Sequence, residues 1–283
     1  MARFTAGLAV AVAAVVGCEP AKELPDAVPI RTASGDGPTV PTASEPAAKA
    51  YIDKAVKAFT GGKPELLAKG KVSRTVLKGR IQRPNKLASD VVRTISAVWP
   101  DRLADTDRIQ SDGKTNAVSA YLHRPHLILI DNGAELSPPN PVEYERNFAA
   151  DEIAQHWMAL LLPATDPSAI VFDFRSTTGI APDSGKPLLI HLVKLSLGEF
   201  PVYDLIFDAA TDLLLRVEYS LKAQGVTYRK QWTATNHKTG PDGLTLPRKI
   251  EYWQGVLLAE QFEVEKWEFP ASIGDAEFAP PKK

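Results

Sequence analysis

The chain has 283 residues, 44% of them hydrophobic and 24% charged, with a formal net charge of −1 from 33 Lys+Arg and 34 Asp+Glu. That is the composition of an ordinary globular protein, long enough for one large domain or two small ones, and it lacks the basic excess that condenses on nucleic acid. Cys18 is the only cysteine, which excludes an intrachain disulfide and a cysteine metal cluster.

The first residues, "MARFTAGLAVAVAAVVGCEP", carry one cation, Arg3, and then a short run of Ala, Val and Leu. The run is too short for a bilayer span of about 20 residues and fits the apolar region of a secretory signal. It ends in Val15, Val16, Gly17 and Cys18, which resembles the lipobox of bacterial lipoprotein signal peptides. The resemblance implies a signal peptide over 1–17 and a diacylglyceryl group on Cys18. Residues 18–46 are rich in Pro, Ala, Ser and Thr without apolar periodicity, so they read as a disordered tether. Such a tether averages roughly 30 Å end to end.

One folded domain is expected over 47–283. Ala48, Ile52, Ala55, Val56 and Phe59 make a helical stripe that Gly61-Gly62 stop. Residues 64–69 open with Pro and predict a further helical turn. From residue 71 the period changes to two, predicting strands at 71–82, 89–99, 105–110, 115–123 and 126–131. Asp112-Gly113 and Asn132-Gly133 supply hairpin turns. A second helix follows, with Phe148, Ile153, Trp157, Leu160 and Leu161 at helical spacing and Pro163 as its stop. Strands resume at 170–175, 187–196, 200–208, 213–222, 226–236, 246–254 and 256–267. The fold class is therefore α+β: a long curved antiparallel sheet of about 11–12 strands, an incomplete barrel wrapped around two or three helices.

Alternation sets a register for the hairpin at 202–221. Phe207 should face Leu213, Leu205 face Leu215 and Tyr203 face Val217, with Tyr219 on the same oily side. In the last strand Phe262 and Val264 share one parity and Trp267 takes the other, which calls for a bulge near Glu265-Lys266, as on an edge strand.

The helix "AYIDKAVKAFTGG", the strand "KGKVSRTVLKGRI" directly after it, the hairpin "FDAATDLLLRVEY" and the closing "LTLPRKIEYWQ" together resemble the LolA/LolB family of bacterial lipoprotein carriers, over roughly 48–280. The resemblance implies a half-barrel with helices as plug and lid, whose apolar cavity receives acyl chains in the better-known members. Asp212 stands where the family usually has Gly, a substitution that tolerates a left-handed turn. The apparent anchor departs from the soluble carriers and agrees with the acceptor member.

Sites for chemistry are sparse. His123 and His126 flank Arg124-Pro125 and read as a polar turn before a metal pair. Glu152 and His156 lack the rest of a zinc-protease motif and read as a surface pair one helical turn apart. His191 reads as a satisfied sheet histidine, and 179–187 as a turn, not a phosphate loop. Asp204, Asp208 and Asp212 read as turn carboxylates, and no nucleophile elbow appears. No enzyme activity, cofactor or metal is expected.

Two functions stay open. One is a lipid-anchored protein facing the periplasm, at the outer membrane in preference to the inner, that binds an acyl chain, lipid or lipoprotein. Its candidate lining is Phe148, Ile153, Trp157, Tyr203, Leu205, Phe207, Leu213, Leu215, Val217 and Tyr219. The other is a non-catalytic structural or interaction lipoprotein with a filled core and an envelope partner. Trp253 or Trp267 would then serve as exposed aromatics beside the sheet edge.

Overall fold

The computed structural model describes residues 39–82, 87–111 and 113–280. Val15, Val16, Gly17, Cys18 and most of the expected tether lie outside them, as does Asp112 of the first hairpin turn.

Helix α1 (Pro46–Phe59) buries Ala48, Tyr51, Ile52, Ala55, Val56 and Phe59, so the apolar stripe is the packed face. Glu45 pins its start to the sheet edge: the Glu45 amide donates to Val171 O at 2.9 Å, and its carboxylate accepts from Asp173 N at 2.9 Å. Gly61 and Gly62 follow at φ 59° and 84°, and the Gly62 amide closes the helix onto Lys57 O at 2.7 Å. A 3-10 helix (Pro64–Lys71) then feeds the sheet.

Two antiparallel meanders make that sheet. The first is β1 (Val72–Ile81), β2 (Ser89–Val98), β3 (Arg102–Ser111), β4 (Lys114–His123), β5 (His126–Asp131) and β6 (Ala134–Leu136). The second runs through β7 (Ile170–Ile180), β8 (Pro187–Ser196), β9 (Tyr203–Asp208), β10 (Leu214–Ala223) and β11 (Val226–Thr235), and ends in β14 (Lys249–Gln254) and β15 (Leu257–Glu268). They join where β15 pairs with β1, giving one sheet of 13 strands with β6 and β7 as its open edges. A two-stranded ribbon of β12 (Lys238–Thr239) and β13 (Thr245–Leu246) stands apart. The α+β class and the unclosed antiparallel sheet agree with the pattern of the sequence. The sheet exceeds 11–12 strands because β6 is three residues long, too short to show a period, as are β12 and β13 of the separate ribbon.

The expected bulge in β15 is present. Val76 pairs with Lys266 and Leu77 with Val264, leaving Glu265 as the extra residue. Its setting differs from the expectation, since β15 lies inside the sheet between β1 and β14. A strand that is last in sequence becomes central by pairing with the first.

Helix α2 (Pro141–Glu152) connects the meanders and lies along the concave face. Asn147 Nδ2 donates to Lys222 O near one end of the strands at 3.0 Å. Farther along, His156 meets Ser73 near the other end at 3.0 Å. The helix changes character on the way, becoming π-helical over Ile153–Trp157 and 3-10 over Met158–Leu160. Its stop is Leu161, left-handed at φ 56°, and not Pro163, which opens a further 3-10 turn. The amides of Leu161 and Leu162 bond back to Met158 O and Trp157 O, the 5→2 and 6→1 closure usually built on glycine.

On the convex side the C-terminal tail forms a strap. Ile273 and Phe278 pack with Ala104 and Tyr121, and Glu277 takes both Nη2 and Nε of Arg74 at 2.6–3.0 Å.

The seam between the meanders has a steric requirement at Gly79. A Cβ there would lie 1.9 Å from Gln261 O and 2.8 Å from Phe262 Cα, both backbone atoms of β15. Gly79→Ala is expected to lower stability by about 1–3 kcal/mol through overpacking at a site that cannot yield. The urea midpoint would move accordingly, and an unchanged midpoint would contradict this close approach.

Candidate functional site: the trough between helix α2 and the sheet

The concave face is a trough floored by alternate residues of the strands and filled by α2. Eight of the ten expected lining residues meet there in one core: Phe148, Ile153 and Trp157 from the helix, and Tyr203, Leu205, Phe207, Val217 and Tyr219 from the sheet. Tyr203 also donates its hydroxyl to Ala150 O at 3.1 Å, tying floor to helix.

Leu213 and Leu215 depart from the expectation. Both are half-buried and outside this core, and Leu214 takes the inward place. The turn is responsible. Asp212 is left-handed at φ 57°, and its amide bonds to Asp208 O while the Asp208 amide bonds to Leu213 O. Phe207 therefore pairs with Leu214, one residue beyond the register read from alternation. A bulge at Leu215 adds a second residue, so Ile206 pairs with Arg216 and Leu205 with Val217. Two offsets restore the parity, which is why Val217 and Tyr219 still face inward as expected.

Side chains of the helices and of the sheet meet in the trough as one continuous core. A cavity lined by Phe59, Leu213, Leu214, Trp232 and His237 has a volume of about 10 Å³, at the lower limit for a single water. A hollow of about 280 Å³ lies elsewhere, at the β3–β4 hairpin end, between Gln110, Ser111, Gly113, Lys114 and Thr115. Its lining is short and polar, unlike the mostly apolar walls of a lipid site.

The middle of the trough is ionic, a feature the sequence reading missed. Arg93 of β2 forks onto Asp107 of β3 at 2.8 and 2.9 Å and reaches Glu260 of β15 at 2.7 Å, with Asp105 at 3.6 Å. Its guanidinium also lies 4.8 Å from the ring centre of Phe262. From α2, Asp151 accepts from Tyr219 Oη at 2.6 Å and from Lys230 Nζ at 2.5 Å. The neighbouring Glu152 is buried among the same carboxylates. A signal was available. Arg93, Asp105 and Asp107 share the parity of Val91, Ile95, Leu103 and Ile109, so they are charges placed at core positions of their strands.

Five carboxyl groups here face two cations, Arg93 and Lys230. Burial pushes the Asp105 carboxyl up to about 8; Arg93 opposes the shift, and the charges of Asp107 and Glu260 add to it. Burial likewise raises Glu152 well above the carboxylate range, aided by Asp105 and opposed by Arg93. Arg93 stays charged, because Asp107, Glu260 and Asp105 together outweigh its own desolvation.

Glu152 and His156 are thus not a surface pair. Both are buried, and His156 bonds to Ser73, with burial holding its imidazole down to about 3. The other polar residues do structural work. His191 shares a 2.8 Å bond with Ser176 and abuts Tyr51 edge-on. His123 and His126 pair across the β4–β5 turn, both exposed. The three hairpin aspartates disperse: Asp204 to Lys194, Asp208 to the turn at Ala210 and Thr211, and Asp212 to Lys54. Among the described residues no three His, Cys, Asp or Glu side chains are grouped to hold a metal. Trp253 and Trp267 are half-buried on interior strands and do not stand beside a sheet edge.

No protein-family model and no curated protein matches the chain. Solved structures do. A LolA superfamily protein from Nitrosomonas europaea aligns at TM-score 0.49 and 10% identity, over 82% of this chain and 97% of that one. A putative outer membrane lipoprotein-sorting protein domain from Vibrio parahaemolyticus aligns at 0.43 and 11%, over 80% and 97%. MucB aligns at 0.23 and 12%, over 84% of this chain and 64% of its own.

The bulge at Leu215 makes two adjacent leucines unequal. Leu214→Ala is expected to cost about 2–5 kcal/mol, as a full core truncation does. Leu215→Ala should cost about 1 kcal/mol, the value of a half-buried side chain. Urea unfolding of the two variants measures the difference, and the reverse order would refute the register.

Proposed function

We propose that the protein is a lipid-anchored, periplasm-facing protein of the cell envelope that binds an acyl chain, lipid or lipoprotein between α2 and the concave sheet. The observation that carries this reading is the placement of α2. The concave face is occupied by a segment buried almost throughout from Asn147 to Ala164, with Phe148, Ile153 and Trp157 lying where an acyl chain would lie. The helix is held at its centre by charged groups, and such contacts add less net stability than apolar packing of the same volume. Displacing the segment would uncover Tyr203 and Tyr219, which bond to Ala150 and Asp151 of α2, while Phe207 stays packed against Tyr51 of α1. A ligand site of ordinary size needs about 300 Å³ or more, so entry requires α2 to move.

The anchor in this proposal is a diacylglyceryl group on Cys18 after Val15-Val16-Gly17, with the outer membrane favoured over the inner. Two acyl chains hold a protein stably where one does not. No catalytic role is proposed for any residue.

A second reading rests on the filled trough itself, where Phe148, Ile153 and Trp157 are buried in one core with the sheet. On that reading the sheet is a scaffold for an envelope partner and α2 never leaves. Native mass spectrometry of the Cys18→Ser protein mixed with palmitate separates the two. The binding reading expects a palmitate adduct that Val217→Glu abolishes while circular dichroism keeps the β signature. A clean apo mass at every palmitate concentration leaves the scaffold reading standing. Cys18→Ser should also move the protein from the membrane fraction to the soluble one, and persistent membrane association would sink the anchor.

A further inference from the structure

The ionic centre of the trough holds more negative groups than its cations balance, and two of its oxygens have no partner. Asp105 Oδ1 and Glu152 Oε2 are both buried and neither makes a hydrogen bond among the described residues. Two ionised carboxylates held near one another in a dry site repel strongly, and such pairs keep a proton. A partnerless buried carboxylate oxygen is itself costly. One proton on either carboxyl removes the repulsion and supplies a donor to a site that lacks one.

Position gives the pair leverage. Asp105 belongs to an interior strand of the sheet, whereas Glu152 is the last residue of α2 before the helix turns π-helical. The groups facing Glu152 come from every element around it: Arg93 on β2, Asp105 and Asp107 on β3, Glu260 on β15, Lys230 on β11, Tyr252 on β14 and Asp151 on α2 itself. Arg93 is already committed to Asp107 and Glu260, and Lys230 to Asp151. Among the described residues the cation that acts on Glu152 is Arg93, which is bonded to other acids. π-helical turns often mark places where a helix is adjusted at a functional site.

We propose that Glu152 and Asp105 form a proton-dependent latch: while one of these buried carboxyls keeps a proton α2 stays closed on the sheet, and ionisation of both drives α2 away and opens the trough. Opening breaks no covalent bond. The proton passes to solvent, and both carboxylates become ionised and hydrated. This inference rests on the reading that a ligand enters beneath α2, and it assigns the control of that entry.

The sign follows from the environment. Both carboxyls are pushed upward in the closed state, mainly by burial, and Asp105 reaches about 8. Closure is therefore fully favoured in acid and weakens as pH rises through that value.

Hydrogen–deuterium exchange of the full chain, corrected for intrinsic rates, tests the latch. Protection of α2 amides should fall about tenfold or more between about pH 5.5 and about pH 8.5, the factor that one pKa unit of differential protonation supplies. Amides of β8 should not follow. Glu152→Gln, which mimics the protonated acid, should hold α2 protected across the range; Asp105→Asn should do the same if the first variant folds poorly. Protection of α2 that tracks β8 at every pH would overturn the latch, as would an unchanged slope in both variants. Palmitate uptake measured alongside separates the two claims. Loosening of α2 without uptake keeps the latch and sinks the lipid reading. Uptake equal at both pH values with a rigid α2 does the reverse.

Discussion

An open sheet of 13 strands cannot leave its concave face to water, and everything else in the molecule follows from how that face is covered. A closed barrel would fill its own interior with side chains; a half-barrel needs an insert. Here the insert is α2 with its π-helical extension, which brings Phe148, Ile153 and Trp157 into one core with the strands, Trp157 against Trp99. Each such side chain contributes roughly 1.5–3 kcal/mol on burial. The same packing that stabilises the fold thereby fills the volume of the half-barrel with the chain's own side chains.

The ionic centre sits oddly in this arrangement. Apolar residues of the same size at 93, 105 and 107 would pack against α2 without desolvating charge. Instead Arg93 is committed to two acids, Asp105 is pushed up to about 8, and Glu152 is left with only like charges uncommitted. Such an interior specifies one docking position for the helix while holding it less firmly than an oily one.

Much of this was legible in the residues. The stripe from Ala48 to Phe59, the glycine stop and the alternation of the longer strands carry periods that single residues obey wherever tertiary contacts fall. The bulge at Glu265 was legible too, because Trp267 breaks the parity of Phe262 and Val264. Three things were not. The offset at Phe207–Leu214 depends on hydrogen bonds of the turn that leave no mark on alternation. The inward placement of Glu152 and His156 depends on the sheet surrounding the helix, when an acid and a histidine one turn apart read as solvated. The pairing of β15 with β1 joins residues nearly two hundred positions apart, and local sequence holds no record of its partner. At the site, the apolar lining was mostly visible, while the charges within it were overlooked at Arg93, Asp105 and Asp107, whose parity gave them away.

That seam between β1 and β15 also orders events in time. The first strand made is completed only by the last, and every residue between them must emerge before Gly79 can meet Gln261. Until then β1 presents a bare edge, and the first meander is an unfinished sheet with its trough uncovered. A nascent chain in that condition has the features that invite strand addition by a neighbour. Biogenesis of this protein therefore carries a window of exposure as long as its own synthesis, and the Gly79 contact is the event that closes it.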